Sequence, residues 1–531
     1  VAVLNGRRAG VAASALAAAV LAALPSAAPA GAAAEPTTIA AHALSLAVPA
    51  PLESPASEPA SSAPALVASA HRTIATDIAA AQIAFDRGLL MLYAFNVGEA
   101  RLAFRAAEAA DPHALMPYVG EAISETIDIN RPSTPDGERR GAAAIARGRA
   151  ALASAPADEA ALFAAAALRY DLKVPQRQRF SAYFGALQAY AAAHPADGLG
   201  LTLAAYAGWN ATDALVAAPG DEPTGDARTI ITDLDAALKL DPNDVGAHHL
   251  RIHFWEEAFH PERALPDADD LAALDYAPGE SHLLHMAGHI FDRLGDFGRM
   301  VAVNKGACAN DALYFAAGDG DGQRYMRTYH EHDVSFVLYG LTTLGRDAEA
   351  AAFAARESSA DSEAVALRLH DNAEVLRLLG DAVTPQRVIA EARSGDISGA
   401  RKDLAALGPG TGDSDLTIAA AVVARAAHDD EAAIAAYRRA LAASGSYQGD
   451  PKVHWQTPIG EGLGATLLES GDAARAERVF RAELGRYPGD PRLEFGLARA
   501  LAAQGKDPAD AQRAYQTEWQ GKHPLTLDDL G

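Results

Sequence analysis

From His71 onward, apolar residues recur every three or four positions and the runs are broken by Gly, Asp-Pro or Pro-Gly. That spacing is the signature of helices with one buried face, and no pair of segments shows the strict alternation of half-buried strands. Small and aromatic residues also repeat at fixed offsets that suit two antiparallel helices in a unit of roughly 34 residues. Gly88, Ala100, Phe104, Ala107 and Pro112 form one full copy, and Gly464, Gly471, Ala476, Phe480 and Pro488 form another. A weaker unit carries Gly505, with Ala511 and Tyr515 displaced by one position. Partial copies are Leu234, Ala237 and Pro242; Gly288, Gly295 and Ala307; Gly345 and Ala350; and Ala433, Tyr437 and Ala440. Small residues at these offsets let paired helices approach closely, and the aromatic fills the wedge between them. The pattern predicts an all-α chain, a right-handed helical solenoid of antiparallel helix pairs; an irregular helical bundle is the alternative.

Within that frame the expected organisation is an export signal over 1–34, a disordered Ala/Pro-rich leader over 35–70, an N-terminal solenoid over 71–345, middle helical repeats over 346–445 and C-terminal repeats over 446–531. The signal rests on Arg7 and Arg8, the apolar stretch Val11 to Leu24, and small residues around Ala28-Pro29-Ala30 or Ala32-Ala33-Ala34. A general secretory route fits better than the twin-arginine route, because the residues after Arg8 suit the latter poorly. The expectation is an exported protein, periplasmic or secreted, with no membrane insertion after signal removal. Two segments, Asn130 to Gly141 and Ala312 to Arg324, are expected as surface insertions, the second a flexible Asp/Gly loop that lacks the full calcium-loop spacing.

Composition narrows the function. The net charge of −24 sets nucleic acid aside, since such a surface repels phosphate backbones. The single cysteine, Cys308, makes no internal disulfide and reads as a small buried residue.

Histidine placement is the strongest chemical signal. Nine of the 17 histidines fall between His248 and His332. His249, His253 and Glu256 are four and three residues apart, so they share one helix face; His282, His285 and His289 share another. In the repeat frame, both sets and His332 occupy positions of three neighbouring first helices. Neutral imidazoles gathered at one place suit a shared transition metal, and His249, His253, His282, His285, His289 and His332 are the candidate ligands. Copper, as one ion or a pair, is expected ahead of zinc, and scarce clustered carboxylates disfavour calcium, magnesium and a carboxylate-bridged di-iron centre. Glu256 is a candidate ligand, catalytic base for a metal-bound water, or partner orienting a ring. His248 and His260 read as packing, surface or turn residues, and His330 as a cap or an extra ligand. Glu121 stands where the repeat takes an apolar residue, so it must be paired or protonated if buried.

These motifs resemble those of bacterial exported tetratricopeptide-repeat (TPR) proteins. The similarity runs from about Ala84 to Gly521, most specifically in Phe104 to Asn130, Gly246 to Leu265, Gly279 to Phe297, Tyr329 to Phe336 and Trp455 to Leu468. The resemblance implies that the first-helix positions carrying the histidines line the concave groove of the superhelix. It also implies that the six histidines and Glu256 are characteristic polar residues. Ser335 stands where the family often has histidine, and Gly460 where it often has arginine. Three functions follow as expectations: a copper oxidoreductase acting on a small molecule or peptide in the groove, a metal-free scaffold for a protein partner, or a zinc hydrolase.

Overall fold

The computed structural model describes residues 67–125, 129–130, 133–212, 222–256, 258, 260–318, 321–408, 414–443 and 454–531. The expected export signal and most of the leader lie outside the described residues. At the leader's last residues Val67 bridges Asp275, the Ala68 N–H donates to the Asp275 carbonyl at 2.9 Å, and Ala68 is buried while Val67 and Ser69 are exposed.

Among the described residues there are 24 α-helices and no strand beyond that isolated bridge. Each helix packs mainly on its neighbours in sequence, so the chain is a TPR-like solenoid of helix pairs. None of these helices is long and apolar enough to cross a membrane. The buried apolar side chains form two clusters, one reaching from Ala68 to Val365 and one from Ala366 to Leu530.

The repeat residues do the packing expected of them. A Cβ on Gly88 or Gly120 would strike the Phe104 ring, and one on Gly464 or Gly496 would strike the Phe480 ring. Each aromatic is therefore wedged between the glycine of its own helix pair and that of the next, and both rings are buried. Polar side chains finish the helices in the same way along the chain: Asn96, Asp296, Asp472 and Asp490 each accept from a first-turn N–H.

The two expected insertions are mostly helical. Helix Phe297–Ala316 runs through the start of the second, helix Asp321–Thr343 takes up again after it, and residues 319–320 lie outside the described set. Helix Pro135–Gly148 occupies the end of the first, with Pro135 at a first-turn position and Thr134 capping it. Polarity at a helix start had looked like loop composition.

The N-terminal part of the solenoid closes on itself. Asn96 donates to the Gly279 carbonyl at 3.2 Å, Tyr314 donates to Glu99 at 3.0 Å, and Arg87 pairs with Glu280. These bonds tie the first helix pair to helices some 200 residues later. The turn between helices Ala79–Tyr93 and Val97–Ala110 is thereby carried into the hollow where the histidine helices face.

Candidate metal centre

Helix Val245–Glu256 starts where the Asp244 carboxylate accepts the N–H groups of Gly246 at 2.9 Å and Ala247 at 3.0 Å. It presents His249, His253 and Glu256 inward. Gly246 lies against the Tyr93 ring, where a Cβ would not fit, and this close approach brings the Tyr93 carbonyl to His249 Nδ1 at 2.6 Å. Helix Ser281–Leu294, closed by Gly295 in the left-handed region, presents His282, His285 and His289. Helix Asp321–Thr343 brings His332.

The six candidate ligands separate into two triads. His249, His253 and His282 form one, and His285, His289 and His332 the other; within each, one ring nitrogen per residue lies within 4.8 Å of the others. The triads adjoin, with ring centroids 5.5 Å apart for His282 and His285 and 6.4 Å for His253 and His289.

Second partners fix the protons. The Tyr93 carbonyl and the Glu256 carboxylate only accept, so His249 Nδ1, 2.6 Å from Tyr93, and His253 Nδ1, 2.7 Å from Glu256 Oε1, carry hydrogens. His289 Nδ1 lies 3.1 Å from Glu256 Oε2, so one carboxylate stands beside a ring from each triad. Asn304 Nδ2 donates to the Met300 carbonyl, which turns Oδ1 toward His285 Nδ1 at 2.6 Å. Asp333 Oδ1 is also 2.9 Å from that nitrogen. With Nδ1 of His249, His253 and His285 engaged as donors, the Nε2 lone pairs of these three rings are left for the interior. His249 and His253 Nε2, and both His282 nitrogens, are buried without a hydrogen-bond partner. His285 and His289 turn Nε2 toward Nε2 at 2.9 Å. Two nitrogens bound at about 2.0–2.1 Å to one ion stand about 2.9–3.4 Å apart at bond angles of about 90–109°.

Burial sets the charge state of the first triad. It pushes His253 down to about 3, with His285 adding to the effect, and holds His249 and His282 well below the usual imidazole value. The rings are thus neutral at neutral pH, the state in which an imidazole can bind a metal.

Phe95 was not foreseen. It adopts φ 54°, unusual for a bulky residue, and stacks on His282 at 5.0 Å and on His253 at 5.7 Å between ring centroids. It closes the hollow over the first triad. Five of the six histidines are buried, and His332 alone is partly exposed. Phe95 thus stands in the hollow at the first triad, on a turn that the repeat pattern did not place there. Glu256, expected as a ligand, a base or a partner orienting a ring, accepts from His253 Nδ1. Asn304 was also missed, though its signal was present: it lies 16 residues after Gly288, as Phe104 lies after Gly88 and Phe480 after Gly464. A polar residue at the aromatic wedge position marks a ring that needs an acceptor.

Other candidates resolve as structural. His248 pairs with Asp267 at 2.7 Å, and His260 with Glu262 at 2.9 Å. His330 lies between Asp311 and Glu357; burial opposes its charge, but these carboxylates and Asp333 raise it to about 9. Glu121 is buried and paired with Arg105 at 2.7 Å and with Arg147. Cys308 is buried, as its sequence position suggested.

No protein-family model matches the chain, and no curated protein matches it significantly. Among solved structures, the chain is similar to one titled as the Cut9-Hcn1 hetero-tetramer of the APC/C: 12% identity, 67% of this chain and 73% of that one, TM-score 0.32. A second is titled as the P58(IPK) TPR domain: 15% identity, 83% of this chain and 99% of that one, TM-score 0.24. Helix pairing and wedge packing carry the assignment of the fold: this is a TPR-like helical solenoid with two adjoining histidine triads, one buried and one partly exposed at His332.

Proposed function

We propose that the chain is an exported metal-binding solenoid protein in which each histidine triad holds one transition-metal ion, giving an adjacent pair. The observation that carries this reading is the inward set of Nε2 lone pairs, enforced by Tyr93, Glu256 and Asn304 accepting on the far side of the rings. His285 Nε2 and His289 Nε2 stand 2.9 Å apart, close enough to share a hydrogen between them or to bind one ion together. All-imidazole sets suit copper, zinc, nickel and iron, and the affinity order puts copper ahead of zinc. Copper supplies one-electron chemistry when bound. Around it Glu256 and Asn304 orient the rings, and Phe95 keeps water from the first triad. His332 marks the side from which an ion or a small reactant enters. The solenoid surface beyond this centre remains suited to a protein partner, the usual service of stacked helix pairs.

The test is elemental analysis of the purified full-length chain with calorimetric titration of copper and zinc. The expected result is up to two equivalents in the wild type, one lost in His253→Ala and one in His285→Ala. A chain that takes up no stoichiometric metal after titration with either ion is a metal-free scaffold, and the proposal fails.

A further inference from the structure

The two triads are unlike in what surrounds them. Three neutral rings and a wall of aromatic carbon make up the first. His249, His253 and His282 are 1%, 5% and 1% exposed, and the fully buried Phe95 ring stands 4.4 Å, 5.7 Å and 5.0 Å from them between centroids. On the same measure Tyr329 lies 4.4 Å from His282 and Trp209 lies 6.2 Å from His253. Among the described residues, the one carboxylate partner of this triad is Glu256, which accepts on the outer Nδ1 of His253.

The second triad is backed by acid and reached by solvent. His332 is partly exposed. Glu256 Oε2 is 3.1 Å from His289 Nδ1, and the buried Asp333 Oδ1 is 2.9 Å from His285 Nδ1. Asp311 adds its like charge to Asp333 and lies 3.1 Å from His330, which in turn lies 3.2 Å from Glu357. Three carboxylates, Asp333, Asp311 and Glu357, thus stand against the one imidazolium of His330. The count is negative even with one proton held between Asp333 and Asp311. Phe336 touches all three rings of this triad, edge-on at 88°, 66° and 83° between planes. The triads therefore differ in charge and in access, and not in having an aromatic neighbour.

Those differences bear on the charge of the ion. By the Born relation, the cost of taking an ion out of water rises with the square of its charge, so a divalent ion loses about four times what a monovalent ion of equal size loses in a dry, neutral site. Adjoining ions also repel in proportion to the product of their charges, which falls when one of two divalent ions is replaced by a monovalent one. Three imidazole nitrogens with no further ligand satisfy a soft, singly charged ion of low coordination number, whereas a divalent ion gains from nearby carboxylates and water.

We propose, resting on the metal reading above, that the triads hold ions of different charge: a cuprous ion in the first and a divalent transition-metal ion in the second. Phe95 sets the difference by keeping water and oxygen ligands from the first.

The test uses the full metal-free chain, titrated without oxygen, with cuprous ion in competition with bicinchoninate and separately with zinc by calorimetry. The wild type should take up one tight equivalent of each. His253→Ala should weaken the tight cuprous equivalent by about a hundredfold and leave the tight zinc equivalent within about threefold, and His285→Ala should do the reverse. His249→Gln gives the first readout again should His253→Ala fail to show a native melting curve. Phe95→Asn is made in the His285→Ala chain, so that only the first triad is open to titration. Asparagine suits the φ of 54° at this position and brings an amide oxygen and water to the rings. It should lower the ratio of cuprous to zinc affinity by about tenfold, the loss that one altered neighbour of a metal site brings. Both ions taking the same triad as their tighter site, or an unchanged ratio in a folded Phe95 variant, overturns this proposal and leaves the metal reading standing. Uptake of neither ion by the wild type removes both.

Discussion

Glu256→Gln is the most informative single change at the histidine centre. The substitution preserves shape but replaces two acceptor oxygens with one acceptor and one donor. In the wild type the carboxylate accepts from His253 Nδ1 at 2.7 Å and stands 3.1 Å from His289 Nδ1. The ring that meets the new amide NH₂ must turn its Nδ1 lone pair outward and carry its hydrogen on Nε2. That hydrogen then points at the place where the ion would sit. Loss of an outer partner of this kind costs about 10–100-fold in metal affinity, or about 1.4–2.7 kcal/mol. The loss should fall mainly on the triad of the ring that changes tautomer, the other keeping its geometry. Titration calorimetry against a competing chelator measures the affinities. Imidazole ¹⁵N shifts in the metal-free chain report the tautomers directly: His253 carries hydrogen on Nδ1 in the wild type, and the ring that meets the amide NH₂ carries it on Nε2 in the variant. Unchanged shifts together with affinities within twofold of wild type would refute the reasoning.

Four further outcomes are expected. Phe104→Ala empties the wedge between Gly88 and Gly120 and should cost about 3–5 kcal/mol in denaturant unfolding. Asn304→Leu leaves His285 Nδ1 short of its amide acceptor in a buried site and should cost about 1–3 kcal/mol by the same measurement, with the second triad losing metal affinity. Arg368→Met strands the buried Glu461 carboxylate and should cost about 3–5 kcal/mol, whereas the double change with Glu461→Leu should recover most of it. Glu108 is raised to about 8, first by burial, then by its hydrogen bond and like charge with Glu121, against Arg147. With the folded value above the unfolded one, the unfolded chain binds fewer protons between about pH 4.5 and 8, so this group's contribution to stability falls as pH rises through that window. Glu108→Gln should flatten the fall in melting temperature over that window; an unchanged slope would count against the assignment.

Much of this molecule could be read from local pattern because helices are local. Periodicity of three to four, the small residues flanking Phe104 and Phe480, and the first-turn caps depend on residues a few positions apart, so the sequence carries them openly. The two histidine faces are legible for the same reason: spacings of three and four align side chains whatever the helix packs against.

What the sequence determined alone was the solenoid of helix pairs and which rings share a helix face. Tertiary structure decided the rest: that six rings divide into two groups of three, that His282 and His285 on one helix serve different groups, and that Phe95 closes the hollow. Those facts turn on how the first helix pair meets helices far along the chain, through bonds such as Asn96 to Gly279. The angle and depth of such a meeting come from summed side-chain packing, and no short stretch of sequence records that sum.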